Sequence, residues 1–187
     1  MNDFLPKDYK LPVTSNYMKF QAEQNRFRIL SKPIIGWEYW IEEAGKRNPR
    51  RVKKFTEIPT RIQNQTGQDK PKHFWAMVVW NYLDNKIQIL EITQKSIMKA
   101  IESLVQDSDW ESPLNYDLVV KKEGDGLETE YQINPKPKES VDPEIVEIYK
   151  STNVNLEALY SGNDPFETQE IRENIEEEEV NIDDLPI

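Results

Sequence analysis

Between Lys46 and Lys54 the chain reads KRNPRRVKK, six cations and no acid in nine residues, broken by Pro49 and flanked by Trp40 and Phe55. Cations interleaved with aromatics can hold a single nucleic-acid strand without reading it, because charged groups meet phosphates and ring faces meet bases. The same cations could equally solubilise a hairpin tip, and composition alone does not choose between the two. Lys46, Arg47, Arg50, Arg51, Lys53, Lys54 and Phe55 are therefore candidate binding residues.

Strand parity sorts the neighbouring aromatics. In IIGWEYWI, Ile35, Trp37, Tyr39 and Ile41 share one face and read as core, whereas Trp40 shares the other with Glu38 and Glu42. A tryptophan among carboxylates on a polar face is a candidate stacking platform, since large exposed aromatics usually have a partner. Arg26 and Arg28 alternate with Phe27 and Ile29, which puts both on a groove wall or in solvent. In HFWAMVVWNYL both faces are apolar, so periodicity does not separate Trp75 from Trp80; Trp75 joins the binding candidates.

Residues for catalysis are sparse. His73 is the one histidine and there is no cysteine, which removes disulfides, thiolate metal sites and a Cys nucleophile. Asp84, Glu91 and Lys95 loosely suggest a metal-dependent nuclease, but the acid and lysine such a site needs two apart on one strand are missing from LEITQK. Gly124-Asp125-Gly126 is too short for a phosphate loop, and no Walker lysine follows it. No catalytic residue, metal ligand or cofactor is expected, and the chain reads as a non-enzyme.

The elements that must position these residues are mostly short strands. RFRIL alternates with period two, IIGWEYWIEE is aromatic and β-branched, and RVKKF follows a proline-containing loop. FWAMVVWNYL runs into KIQILEI across Asp84-Asn85, a hairpin signal, and YDLVVKKEGDGLETEYQI is a second hairpin. In TQKSIMKAIESLVQD the period changes: Ile97, Ala100, Ile101 and Leu104 mark a helix, with Thr93 as its N-cap. Asp142-Pro143 opens another short helix bearing Ile145, Ile148 and Tyr149. About five strands, with one helix before the last hairpin, suit a mainly β, OB-fold-like five-stranded barrel with one or two short helices.

Charge divides the chain. Of the formal net charge of −10, residues 162–187 carry −9, ten acids against Arg172 alone. Between Lys19 and His73, thirteen cations face six acids. Residues 1–161 are expected to form the nucleic-acid-binding domain and 162–187 a disordered acidic tail, apolar periodicity having given way to charge. The N-terminal MNDFLPKDYKLPV has no signal-peptide pattern and no stretch is apolar enough to span a membrane, so a cytoplasmic protein with no membrane partner is expected.

Three long stretches carry a family likeness: SNYMKFQAEQNRFRILSKPIIGWEYW, WNYLDNKIQILEITQKSIMKAIESL and YDLVVKKEGDGLETEY. Over roughly residues 14 to 133 the chain resembles phage-encoded single-stranded DNA-binding proteins of the OB-fold class. Its end, NIDDLPI, is independently similar to the C-termini of bacterial single-stranded DNA-binding proteins. The resemblance implies a protein that coats single-stranded DNA in phage replication or recombination, in the host cytoplasm. It also implies that Asp183, Asp184, Leu185, Pro186 and Ile187 dock replication or recombination proteins. The bacterial tip usually ends in an aromatic where this chain has Ile187, which points to a cognate phage partner. The alternative is a protein-interaction module of a phage replication complex that does not touch DNA.

Overall fold

The computed structural model describes residues 15–21 and 23–167; the docking-tip residues Asp183 to Ile187 lie outside them. In chain order the elements are β1 (Glu23–Ile29), β2 (Ile34–Glu43), β3 (Lys46–Val52), α1 (Thr60–Gln63), β4 (Lys72–Asn81), β5 (Lys86–Ile92), α2 (Lys95–Gln106), β6 (Asp117–Glu123), β7 (Glu130–Pro135) and α3 (Pro143–Thr152). Short 3₁₀ turns lie between them, the last over Leu156–Ser161.

The fold is mainly β, a seven-stranded antiparallel sheet consistent with the OB-like architecture expected from the sequence. Seven strands reduce to a five-strand frame for a physical reason. β5 pairs along one edge of β4, while β1 and β2 pair one after the other along the opposite edge. From Ile29↔Val79 to Ile34↔Ala76 the β1–β2 side takes five steps and β4 takes three. That surplus is a bulge, which bends one long strand and strengthens its twist. Ser31 keeps the ladder closed there, its hydroxyl accepting the Val78 N–H at 2.9 Å. β6 and β7 extend the sheet from β1, and β3 folds back on β2 as an outgrowth of the frame.

Each face of the sheet buries its own cluster. Phe27, Ile29, Met77, Val79, Leu90, Ile92, Leu118 and Val120 form one, closed by Ile97, Met98 and Ile101 of α2. The other holds Phe74, Ala76, Val78, Trp80, Ile87 and Ile89 beneath Ile145 of α3 and Leu156 and Leu159 of the last turn. At about 1.5–3 kcal/mol per fully buried large apolar side chain, both covers are strongly held. The N-terminal segment fills the opening between β5 and β7: Ile89 exchanges backbone bonds with Asn16 (2.8 Å) and Met18 (2.9 Å), and the Phe20 ring packs on Phe27 and Tyr131.

Several local expectations shift by a few residues. α2 starts at Lys95, with Gln94 and not Thr93 at the N-cap, and no side chain caps it. The β4–β5 connection spans Tyr82 to Asn85, with Asn85 in the left-handed region at φ 48°, so it is longer than an Asp-Asn two-residue turn. At α3 the expected device is present: Asp142 accepts the Glu144 N–H at 2.9 Å and Pro143 occupies the first turn. Packing also continues past residue 161, where Pro165 is buried and its carbonyl accepts the Asn155 N–H at 2.8 Å.

Candidate nucleic-acid interface

The basic segment is strand β3, not a loop, and the third strand covers 46–52 in place of the expected 51–55. Its only pairing partner among the described residues is β2, with Trp40 opposite Pro49, Glu42 opposite Arg47 and Glu43 opposite Lys46. Pro49 offers no N–H to a further strand, and a row of cations discourages one, so this sequence suits a sheet edge. The turn places both Ala44 (φ 50°) and Gly45 (φ 72°) in the left-handed region, the geometry that matches strand twist in a tight hairpin. At the root of this arm, a side chain on Gly36 would put its Cβ 2.3 Å from the Val52 carbonyl oxygen; only glycine lets the backbones approach so closely.

On the arm the candidates divide into available and occupied. The Arg47 guanidinium lies over the Trp40 ring, 5.2 Å from its centroid, and donates to Asp69 at 2.6 Å while 47% exposed. Trp40, Glu42, Arg47, Gln65 and Asp69 line an open depression of about 340 Å³. Arg50 pairs with Glu43 at 2.8 Å, and Lys53 pairs with Glu157 at 2.9 Å over the Tyr160 ring, all solvent-facing. Lys46 and Lys54 are exposed and form no salt bridge among the described residues.

Two arginines depart from expectation. Arg28 is 2% exposed, with its guanidinium on Asp117 and on the Glu139 carbonyl at 2.9 Å. It shares a face with Arg26, as alternation requires, but the chain around Leu114 and Glu139 covers that face at Arg28. It belongs neither to a groove wall nor to solvent. Arg26 stays half exposed, bound to Asp117 at 2.6 Å and over the Tyr82 ring. Arg51 is 14% exposed and bridges Glu38 of β2 (2.9 Å) and Glu91 of β5 (2.8 Å) through Nε and Nη2, a largely buried structural clamp. Burial, reinforced by a hydrogen bond with Glu38, pushes the Glu91 carboxyl up to about 8 despite Arg51.

The aromatic candidates fall on opposite sides of β2. Trp40 shares its face with the Arg47 depression. Phe55 packs edge-on against Trp37 at 4.9 Å, and Trp37 also meets His73 at 5.2 Å. Trp75 is half-buried beside the α2 cluster and pairs with Ile35, which was expected in the core but is 50% exposed. A stripe from Trp75 and Ile35 through His73 and Trp37 to Phe55 is thus a second surface. Parity gave the shared face, but nothing local to the sequence showed that Ile35 falls between the α2 cluster and the smaller one formed by Tyr39, Ile58 and Ile62. Among the described residues no cluster of three or more His, Asp or Glu is placed to hold a metal ion, and no helix is long and apolar enough to cross a membrane.

No protein-family model matches the chain. The chain is similar to a probable ssDNA-binding protein of Escherichia phage T5. The two are 24% identical over an alignment of 138 residues that covers 63% of this chain and 53% of the phage protein. The chain thus spans about half the length of the curated relative it matches.

Proposed function

We propose that this protein binds single-stranded DNA without reading its sequence, as a non-enzymatic coat in phage DNA replication or recombination. The carrying observation is the arm: an edge hairpin that holds Trp40 beneath Arg47 on one face and carries further solvent-facing cations, Lys46 and Arg50 on its other face and Lys53 and Lys54 just past the end of β3. The exposed ion pairs of Arg47, Arg50 and Lys53 are of a kind worth little in water, so phosphates can replace the carboxylates at small cost. The similarity to the T5 ssDNA-binding protein supports the same ligand. In this reading residues 162–187 compete with phosphates for the arm, and Asp183, Asp184, Leu185, Pro186 and Ile187 recruit replication or recombination proteins.

A second reading also has an observation behind it. Asp69, Glu43 and Glu157 already occupy arm cations, so an acidic protein partner could use the same chemistry. Titrating tryptophan fluorescence with unlabelled oligothymidylate decides between them. Single-stranded DNA should give a saturable, salt-sensitive quench that Trp40→Ala diminishes. No change on adding oligonucleotide at low salt would leave the protein-interaction module standing.

A further inference from the structure

Between α2 and the β1–β2 bulge lies an apolar cleft of about 300 Å³, lined by Pro33, Ile35, Trp75, Ile101, Val105 and Leu114 among others. Ile35 and Val105, both large and apolar, stand half in water beside it, at 50% and 52% exposure. The fold gains nothing from leaving them there, and side chains of this kind around a cleft mark a binding surface. The cleft lies off the arm depression and on the opposite face of β2 from Trp40.

We propose that this cleft receives an unpaired nucleobase of the same DNA strand that engages the arm; the proposal rests on that reading of the arm. The lining has side-chain polar groups only in Ser31, Ser112, the Trp75 indole N–H and the Lys32 ammonium, and both hydroxyl oxygens already accept a backbone N–H. Ser31 accepts the Val78 N–H and donates to the Lys32 carbonyl, and Ser112 accepts the Leu114 N–H. A peptide laid in such a slot would leave its own N–H and C=O groups unpaired, a penalty of about 1–3 kcal/mol for each buried group. A nucleobase buries its two faces and leaves its polar edges directed at solvent. Because the exposed lining is almost wholly apolar, it holds the faces of a base and not its edges, which suits sequence-neutral binding.

Charge and continuity favour the same occupant. Lys32 lines the cleft, is exposed and makes no salt bridge among the described residues, so its ammonium is placed to meet a phosphate. Ile35↔Trp75 and Trp37↔His73 are successive same-face rungs of the β2–β4 ladder. Two residues advance about 6.8 Å along a strand, a step matched to an unstacked nucleotide. From the cleft this stripe leads to Phe55 and then to Lys54 at the root of the arm.

The test uses the full chain and oligothymidylate in which single positions carry 5-iodouracil. Photo-cross-linking of the wild type should give adducts at Trp75 or within 31–35 as well as on the arm. Ile35→Asn and Val105→Glu, both at exposed positions, should each lower affinity by about 5- to 150-fold, the range for loss of one stacked base. Adducts on the arm alone, with both variants binding like the wild type, would overturn the cleft and leave the arm intact. Absence of wild-type binding would overturn the arm and the cleft together. If Val105→Glu abolishes self-association and leaves oligothymidylate affinity unchanged, the cleft is a contact between copies and the proposal is wrong.

Discussion

On the β1–β6 side of the sheet Arg28 is 2% exposed and shares Asp117 with Arg26; on the β2–β3 arm Arg47 is 47% exposed, with its guanidinium on an indole and its partner Asp69 in solvent. Both arginines sit in short strands beside aromatic residues, and both have a carboxylate. What separates them is water. A guanidinium buried with its carboxylate is already desolvated and cannot exchange partners without exposing a lone charge. An exposed pair is screened and replaceable. Arginines locked into this fold and arginines free to exchange partners are therefore distinguished by burial and not by residue type or local pattern.

The sharpest way to break this comparison is to remove each guanidinium. Arg28→Ala leaves the buried Asp117 with only the half-exposed Arg26 as a cation and the Tyr82 hydroxyl as a donor, and should cost about 3–5 kcal/mol of stability in urea unfolding, as breaking a buried pair does. Arg47→Ala should leave the unfolding midpoint nearly unchanged and weaken oligonucleotide binding instead. If both variants unfold alike, burial is not what divides them.

Trp40→Ala comes next in size. A stacked base is worth about 1–3 kcal/mol, so affinity for oligothymidylate should fall by that amount while the melting curve stays in place. Unchanged affinity would make the Arg47–Trp40 pair an ornament of the arm.

Arg51 stands where the arm meets the body of the sheet, since its clamp ties arm strand β3 to Glu91 of β5. Glu91 rises from an ordinary 4.5 to about 8 on folding, chiefly by burial. Between those values the folded chain holds a proton that the unfolded chain has lost, so stability should decline as pH climbs through this window and level off above it. One proton allows a slope of at most about 1.4 kcal/mol per pH unit. Glu91→Gln keeps a donor for Glu38 and should flatten the stability profile between about pH 5 and 8, measured by urea midpoints. A wild-type profile that is already flat there would show the clamp to be fully charged.

What was legible in the sequence follows from the range of the interactions involved. The spacing of Ile97, Ala100, Ile101 and Leu104 gave α2, and Asp142-Pro143 gave α3, because periodicity and capping are local. Alternation correctly put Arg26 and Arg28 on one face. It could not show that the chain near Glu139, 111 positions on, covers only the second of them. Pro49 and the surrounding cations disguised an edge strand as a loop, because edge strands carry the residues that central strands exclude. The apolar runs of β4 and β5 implied burial, but only the fold shows that α3 and the Leu156–Ser161 turn cover the outer face. In OB folds the face of the second and third strands binds oligonucleotides, and here those positions belong to β4 and β5. Under the proposed function, the arm and the Trp75 stripe take the place of that covered face among the described residues.

The smallest expected effect discriminates most finely within the arm. Each cation withdrawn from a phosphate of a single strand should flatten the plot of log affinity against log salt by about 0.7, which over a fourfold change in salt is roughly 0.6 kcal/mol. Lys46, Arg50, Lys53 and Lys54 face solvent, so converting them singly to glutamine should remove such increments one at a time. Arg51 belongs to the same run of cations and would count equally if charge in the sequence were all that mattered. Its guanidinium is committed to Glu38 and Glu91, so Arg51→Gln should alter stability and leave the salt slope as it was. A slope that falls by the same step for Arg51 as for Lys54 would mean that the clamp opens to admit a phosphate. The division between buried and exchangeable arginines would then fail at the residue that ties the arm to the rest of the sheet.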